Sequence, residues 1–108
     1  MPKRLPKHPG EVLREEYMEK LGLSANALAM ALHVPSTRIS EILRGRRSLS
    51  ADTALRLERY FSKDGASRTA QEWMWLQGEY ELAKISPAER RRIESEVKSA
   101  HKAGTGAR

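Results

Sequence analysis

The sequence contains no cysteine. Disulfide bonds and thiolate metal sites are therefore excluded, which suits a protein of the reducing cytoplasm. Long apolar runs are also missing, because the longest unbroken run covers only residues 27–32, whereas a membrane-spanning helix needs about 20 residues. The start of the chain, PKRLPKHPG, lacks the apolar segment of a signal peptide. We therefore expect a cytoplasmic protein with no membrane partner.

Aromatic residues make up only 6% of the chain, whereas charged residues make up 31%. This balance suits a small helical protein with a large hydrated surface better than an enzyme with a deep cleft. The three histidines, His8, His33 and His101, are far apart, and no glycine-rich phosphate loop is present. We therefore expect no catalysis, no cofactor and no metal site. The length of 108 residues predicts one compact unit.

Acidic residues are too few to balance the basic ones. The chain has 20 Lys and Arg against 14 Asp and Glu, which gives a formal net charge of +6. A basic balance favours an anionic partner such as nucleic acid, although a basic protein without such a partner has the same composition. The positions of the basic residues therefore say more about a nucleic-acid partner than their number does.

Residues 24–47 contain two short segments with the apolar spacing of helices. The apolar positions are Leu28, Ala29 and Leu32 in the first segment and Ile39, Ile42 and Leu43 in the second. Ser24 precedes the first segment and Ser36 the second, and each hydroxyl can cap a helix N-terminus. Pro35 disfavours helical geometry for the residue before it, and Gly45 is suited to end the second helix. The segment is therefore predicted to be a helix, a turn and a helix.

These residues resemble the helix-turn-helix of the Xre and phage-repressor family. The shared pattern runs from an apolar residue and Ala, through a turn Val, to Ser, Ile-Ser-x-Ile and Gly-x-Arg. The matching positions are Leu28, Ala29, Val34, Ser36, Ile39, Ser40, Ile42, Gly45 and Arg47. The family usually has Gly before the turn Val, where this chain has His33. The resemblance implies an all-α fold, a five-helix lambda-repressor-like domain with a possible short C-terminal helix.

A narrower resemblance covers most of the chain, from Pro6 to Ile85. The stretches HPGEVLREEYMEKLGLS, ILRGRRSLSADTALRLERYF and TAQEWMWLQGEYELAK are similar to the HigA antitoxin family, also called virulence-associated protein I. This resemblance implies an antitoxin that neutralises a HigB-like, mRNA-cleaving toxin and represses the shared operon by binding an operator palindrome in double-stranded DNA. A stand-alone Xre-family repressor without a toxin would have the same DNA-binding half. A pure protein-interaction module is a third alternative.

Three regions are predicted along the chain. Residues 1–9 are basic and proline-rich and are expected to form a flexible arm, which either reaches along DNA or is a frayed terminus. Residues 10–85 are expected to form the DNA-binding domain, and residues 86–108 a C-terminal helix followed by a disordered tail. Within these regions, Ser50 and Ser86 are predicted helix caps. The predicted core positions of helix five are Trp73, Leu76, Tyr80 and Ala83.

The second helix of the motif is expected to enter the major groove. Residues near its start then face base edges: Ser36, Thr37, Arg38 and Ser40. Arg38 is the best candidate for specificity, because its planar guanidinium can pair with both acceptors of guanine. The expected phosphate contacts are Ser24, Asn26, Arg44, Arg46 and Arg47. The alternative is that these arginines form only a solvated rim.

One such motif contacts only a few base pairs, so specific binding predicts a homodimer on an inverted repeat. The HigA resemblance implies a dimer surface on helix five and the loop before it. Helix one carries an acidic face, formed by Glu11, Glu15, Glu16 and Glu19, which would complement a basic toxin. The same face is equally typical of a solvated helix.

Overall fold

The computed structural model describes residues 5–63 and 67–100, and this part of the chain is entirely helical. The first helix, α1, comprises Pro9–Leu13, a π-helical turn at Arg14–Met18, and Glu19–Leu21. The other helices are α2 (Ala25–Leu32), α3 (Ser36–Leu43), α4 (Ala51–Tyr60), α5 (Ala70–Lys84) and α6 (Pro87–Glu96). The predicted all-α class, with five helices and a short sixth, is confirmed. Residues 1–4 of the predicted arm and the predicted disordered tail lie outside the described residues, and the domain boundaries stay a prediction.

The core lies where α1 to α5 meet. Trp73 of α5 is completely buried, and its ring centroid lies 5.4 Å from that of Tyr17 in α1. The Tyr17 centroid is in turn 4.6 Å from that of Phe61, at the end of α4. Each such buried side chain contributes roughly 1.5–3 kcal/mol through removal of apolar surface from water. The aromatic residues, although few, therefore join three helices at one point.

Four hydroxyls cap helices, and three of these caps, Ser24, Ser50 and Ser86, were predicted from the sequence. Ser24, Ser50, Thr69 and Ser86 each accept a hydrogen bond from the backbone N–H three residues later. Ser36 is an exception, and its predicted capping role is wrong. Pro35 occupies the N-cap position of α3 with extended backbone, so Ser36 is the first helical residue and no side chain caps this helix.

Helix α5 follows the predicted core stripe only in its first half. Trp73 is buried and Leu76 packs against the core, but Ala83 is exposed, contrary to the prediction. Gln77 is buried instead, and its Oε1 accepts the Leu49 N–H at 2.8 Å. Tyr80 is half-buried, so only the last turn of α5, residues 81–84, is exposed throughout. Gln77 anchors the segment between α3 and α4 to α5.

Every residue of helix α6 is exposed, and the helix is tied to α5 by the Arg90 guanidinium, which donates to the Leu82 carbonyl at 2.7 Å. The predicted capping box is present: Ser86 and Glu89 exchange hydrogen bonds with each other's backbone N–H at 3.1 and 2.9 Å. The large apolar residues of this region, Ile93 and Val97, are both exposed. No helix in residues 5–63 and 67–100 is long and apolar enough to cross a bilayer.

Candidate nucleic-acid interface

Helix α3 is fixed by its apolar face, which leaves the opposite face to solvent. Ile39 and Ile42 are buried in the core. At about 100° per residue, the residues opposite them are Thr37, Glu41 and Arg44. Thr37 and Arg44 are exposed, and Glu41 is half-buried. The outward face is therefore polar and short, as a helix that enters a DNA groove requires.

The turn before α3 begins with a left-handed histidine, at the position where the motif usually has glycine. His33 ends α2 in the left-handed region, with φ 60° and ψ 45°. The Val34 N–H donates to the Ala29 carbonyl at 3.0 Å, which closes the turn. The turn therefore forms with His at this position and places backbone strain at that one residue.

The start of α3 presents uncapped backbone to solvent. Ser36 and Thr37 are exposed, and their amides precede the first intrahelical donor, the N–H of Arg38, which donates to the Pro35 carbonyl at 3.1 Å. Helix N-termini of this kind carry partial positive charge and bind anions. Two of the four predicted base-reading residues thus lie at an open helix end, with Ser40 one turn along and half-buried.

Arg38, the fourth predicted base-reading residue, lies on the flank of α3 that faces α4. It is half-buried and lines a polar depression together with Asp52 and Arg56. Arg56 donates to Asp52 at 2.7 Å and holds the pKa of that carboxyl below its usual value, with a smaller contribution from Arg38. Arg38 therefore lies at the rim of the outward face, in the same depression as the Asp52–Arg56 pair.

The predicted phosphate contacts after α3 occupy one exposed segment, residues 44–47, here called the arginine loop. Gly45 adopts a left-handed conformation with φ 74°, and its N–H donates to the Ile42 carbonyl at 3.0 Å. The Arg46 N–H donates to the Glu41 carbonyl at 2.9 Å, and Arg47 Nε donates to the Glu41 carboxylate at 2.8 Å. All three arginines are exposed, so the loop gathers positive charge at one end of α3.

The two predicted phosphate contacts on α2 are also exposed. The Ser24 hydroxyl is the helix cap and accepts the Ala27 N–H at 3.1 Å. Asn26 makes a side-chain contact of 3.9 Å with the sulfur of Met30. The start of α2 is thus a second helix N-terminus open to an anion.

Three residues beside the interface were missed by sequence reasoning: Glu41, His8 and Arg14. Arg14 Nη1 donates to the Leu43 carbonyl at 3.3 Å and so caps the C-terminus of α3. His8 is buried and caps α1 through Nδ1, which accepts the Gly10 N–H at 2.9 Å. His8 therefore does not belong to a loose arm. The His-Pro-Gly sequence, with an acceptor before a proline at a helix start, is the local signal that could have identified it.

Ion pairs within the chain occupy part of the acidic face of α1. Glu15 lies 2.6 Å from Lys7, and this contact lowers the pKa of the Glu15 carboxyl. Glu16 lies 3.0 Å from Arg68. In residues 5–63 and 67–100, moreover, no group of acidic residues and histidines is arranged to hold a metal ion.

Comparison with known proteins agrees with this geometry. Residues 15–66 match the helix-turn-helix family model. Virulence-associated protein I of Dichelobacter nodosus is 57% identical over 75 residues, which cover 69% of this chain and 65% of that protein. The antitoxin HigA of Pseudomonas aeruginosa, solved with the higBA promoter, is 44% identical over 86% of this chain and 96% of its own, with a TM-score of 0.75. The chain belongs to the HigA-type antitoxin family of Xre helix-turn-helix proteins.

An uncharacterised transcriptional regulator is also among the relatives. The uncharacterised HTH-type transcriptional regulator YbaQ of Escherichia coli K12 is 34% identical over 82 residues, which cover 76% of this chain and 68% of that protein. Membership in this helix-turn-helix family makes the chain a non-enzymatic protein, in agreement with the scattered histidines.

Proposed function

We propose that this protein is a DNA-binding antitoxin that represses its own operon by inserting α3 into the major groove of an operator palindrome. One observation carries the proposal: the polar face of α3 and the arginine loop lie together on the solvent-exposed side of a helix whose apolar face is buried in the core. The 44% identity to an antitoxin solved with promoter DNA, over nearly all of that antitoxin, supports the same conclusion.

Contacts to bases and to phosphates come from different parts of this surface. The base-reading set is Ser36, Thr37, Arg38 and Ser40, at the start and flank of α3. A bidentate pair between Arg38 and guanine discriminates by roughly 1–3 kcal/mol, whereas hydroxyls select less sharply. The phosphate-binding set is Ser24, Asn26, Arg44, Arg46 and Arg47. These contacts supply affinity and register but little sequence information.

Specific binding by so small a surface requires two copies. A homodimer with two α3 helices about 34 Å apart, or a multiple of that distance, matches a palindrome. Helix α5 offers a surface for this contact, because Trp75 is 64% exposed and Leu82 is 59% exposed on the same helical face. Large exposed apolar side chains of this kind are typical of interfaces.

The antitoxin half of the proposal concerns a HigB-like toxin. An acidic surface would attract a basic nuclease, but Lys7 and Arg68 already neutralise Glu15 and Glu16. The acidic face of α1 therefore offers less charge to a toxin than its sequence indicates. Co-purification of the tagged chain with the product of a neighbouring reading frame tests the toxin partner directly.

The DNA-binding half is tested with a reporter driven by the DNA upstream of the gene. The wild-type chain should repress the reporter, and the double variant Arg46→Ala/Arg47→Ala should release it. The matched control is Arg91→Ala/Arg92→Ala in α6, which removes the same charge from an exposed helix away from α3. Equal repression by all three proteins contradicts the proposal.

The similarity to YbaQ favours a second candidate, a stand-alone repressor. Both candidates predict repression of the reporter. They differ in the toxin partner, because only the antitoxin restores growth when a neighbouring toxic reading frame is expressed with it. Repression without rescue and without co-purification assigns the chain to the stand-alone class.

A further inference from the structure

We propose that His8 is a positioning residue for DNA binding, whose buried ring fixes the arginine loop so that its guanidinium groups meet the phosphate backbone. This inference rests on the proposed DNA-binding function and adds a residue that lies outside the helix-turn-helix. His8 precedes α1, and its side chain is directed inward. It can therefore act on DNA only through the residues that it contacts.

The ring lies between the first turn of α1 and the arginine loop. Nδ1 accepts the Gly10 N–H at 2.9 Å, so the proton of the neutral ring is on Nε2. The Arg47 backbone lies near the ring and favours its protonated form. One side chain therefore bridges the space between the start of α1 and the last residue of the arginine loop.

The ring also packs between the loop and α5. A Cβ built on Gly45 would lie 3.8 Å from His8 Cδ2, so the loop backbone passes beside the ring at a distance that a methyl group would fill. On another side, the Tyr80 ring meets His8 edge-on, with centroids 4.9 Å apart and an interplanar angle of 82°. His8 is thus held in one orientation, and it transmits that orientation to the loop.

The other contacts that hold the arginine loop are weaker or lie farther from Arg47, its last residue. The Arg47–Glu41 ion pair is exposed on both sides, and salt screens such pairs. The backbone bonds of Gly45 and Arg46 hold the start and middle of the loop to α3. Loss of the His8 contact therefore frees Arg47 and its neighbour, and ordering them on DNA then costs conformational entropy.

A purely local role as the cap of α1 is the competing explanation, and His8→Asn separates the two. Asn is a preferred N-cap residue, so its oxygen can replace Nδ1, but it is too short to reach Arg47. The matched control is Tyr80→Leu, which removes the ring contact with α5 and leaves in place both the Gly10 hydrogen bond of His8 and its position beside the loop. Both variants lose packing, but only His8→Asn cuts the link to the loop.

The experiment measures binding of the full chain to two fluorescent duplexes, the DNA upstream of its gene and a mixed-sequence duplex, across salt concentrations. His8→Asn should weaken binding to both duplexes by roughly tenfold and reduce the salt slope by about one, the signature of a lost phosphate contact. Tyr80→Leu should keep the slope of the wild type. Amide hydrogen exchange should show faster exchange at Gly45 and Arg46 in His8→Asn alone, after correction for global stability.

An unchanged slope and unchanged amide protection in His8→Asn overturn the inference, as does an equal effect of Tyr80→Leu. Failure of the proposed function looks different. In that case the wild-type chain shows no preference for its upstream DNA, while amide exchange and the salt slope on the mixed-sequence duplex still measure what His8 does to the loop.

Discussion

The two ends of α3 are built in opposite ways. At its start, Pro35 supplies no side-chain cap, and Ser36 and Thr37 stand in solvent. At its end, Gly10 of α1 lies close against the backbone of Ile42 and Leu43, and Arg14 donates to the Leu43 carbonyl. The helix is therefore anchored at one end and open at the other. This contrast shows how a small domain can present a few polar side chains to DNA while a rigid contact, made outside the motif, fixes their direction.

The largest expected effect comes from the anchored end. In Gly10→Ala the new Cβ would lie 1.9 Å from the Ile42 carbonyl oxygen and 2.9 Å from Leu43 Cα, where only backbone could move. We expect the free energy of unfolding to fall by about 3 kcal/mol, measured by chemical denaturation.

The control for this prediction is Gly78→Ala. A Cβ at Gly78 meets nothing within 4 Å, so the alanine should raise stability by up to about 1 kcal/mol through helix propensity. If the two variants unfold at the same denaturant concentration, α1 does not clamp α3 in solution.

The open end is tested by Arg38→Ala and Thr37→Ala, measured on a set of single-base operator variants. Arg38→Ala should remove roughly 1–3 kcal/mol of discrimination at one base pair, and Thr37→Ala should remove less. Thr37→Ala should alter stability by no more than about 0.5 kcal/mol, as is usual for exposed positions. A uniform loss of affinity on every variant would instead move Arg38 to the phosphate-binding set.

The turn before the start of α3 contains backbone strain at His33 that a substitution can relieve. His33 has φ 60°, a conformation that costs a residue with a side chain about 1–2 kcal/mol and glycine little. We therefore expect His33→Gly to stabilise the fold by about 1 kcal/mol in thermal or chemical unfolding. Gly45→Ala, at φ 74°, should have the opposite sign. A destabilised His33→Gly would show that the histidine side chain makes a compensating contact.

The smallest effect is the dependence of stability on pH at the anchored end. Burial lowers the pKa of His8 below its ordinary 6.5, and its bond to the Arg47 backbone and the nearby Glu81 and Glu11 oppose this shift, while Lys84 adds to it. The unfolded chain therefore binds the proton more readily, so the stabilising contribution is complete above pH 6.5 and declines as the pH falls toward the folded pKa. Denaturation between about pH 5 and pH 8 should show this decline, and His8→Asn should flatten it.

Local signals allowed much of the fold to be predicted from the sequence. Ser24 and Ser50 cap the helices expected of them, because a cap depends on residues within one turn. Ser36 failed for an equally local reason, since Pro35 has the extended backbone that the cap position needs. The burial of Ala83 was wrongly predicted because helical spacing does not reveal where a helix leaves the bundle.

Two of the residues missed beside α3, His8 and Arg14, have partners far along the chain. His8 contacts Tyr80 and lies beside Gly45 of the arginine loop, and Arg14 contacts Leu43. No periodicity or cap signal relates positions so distant, so only the fold brings them together. The predicted base-reading and phosphate-binding residues, by contrast, follow from the motif itself, and their roles on DNA stay predictions.

The central claim is that α3 and the arginine loop recognise an operator. The most direct test is equilibrium binding of the full chain to the DNA upstream of its gene and to a mixed-sequence duplex, titrated with salt. Operator recognition predicts a preference of at least about 10³ for the upstream palindrome at physiological salt, and a salt slope that falls by about one in Arg46→Ala. Equal affinity for the two duplexes, with the same slope in Arg46→Ala, would contradict it.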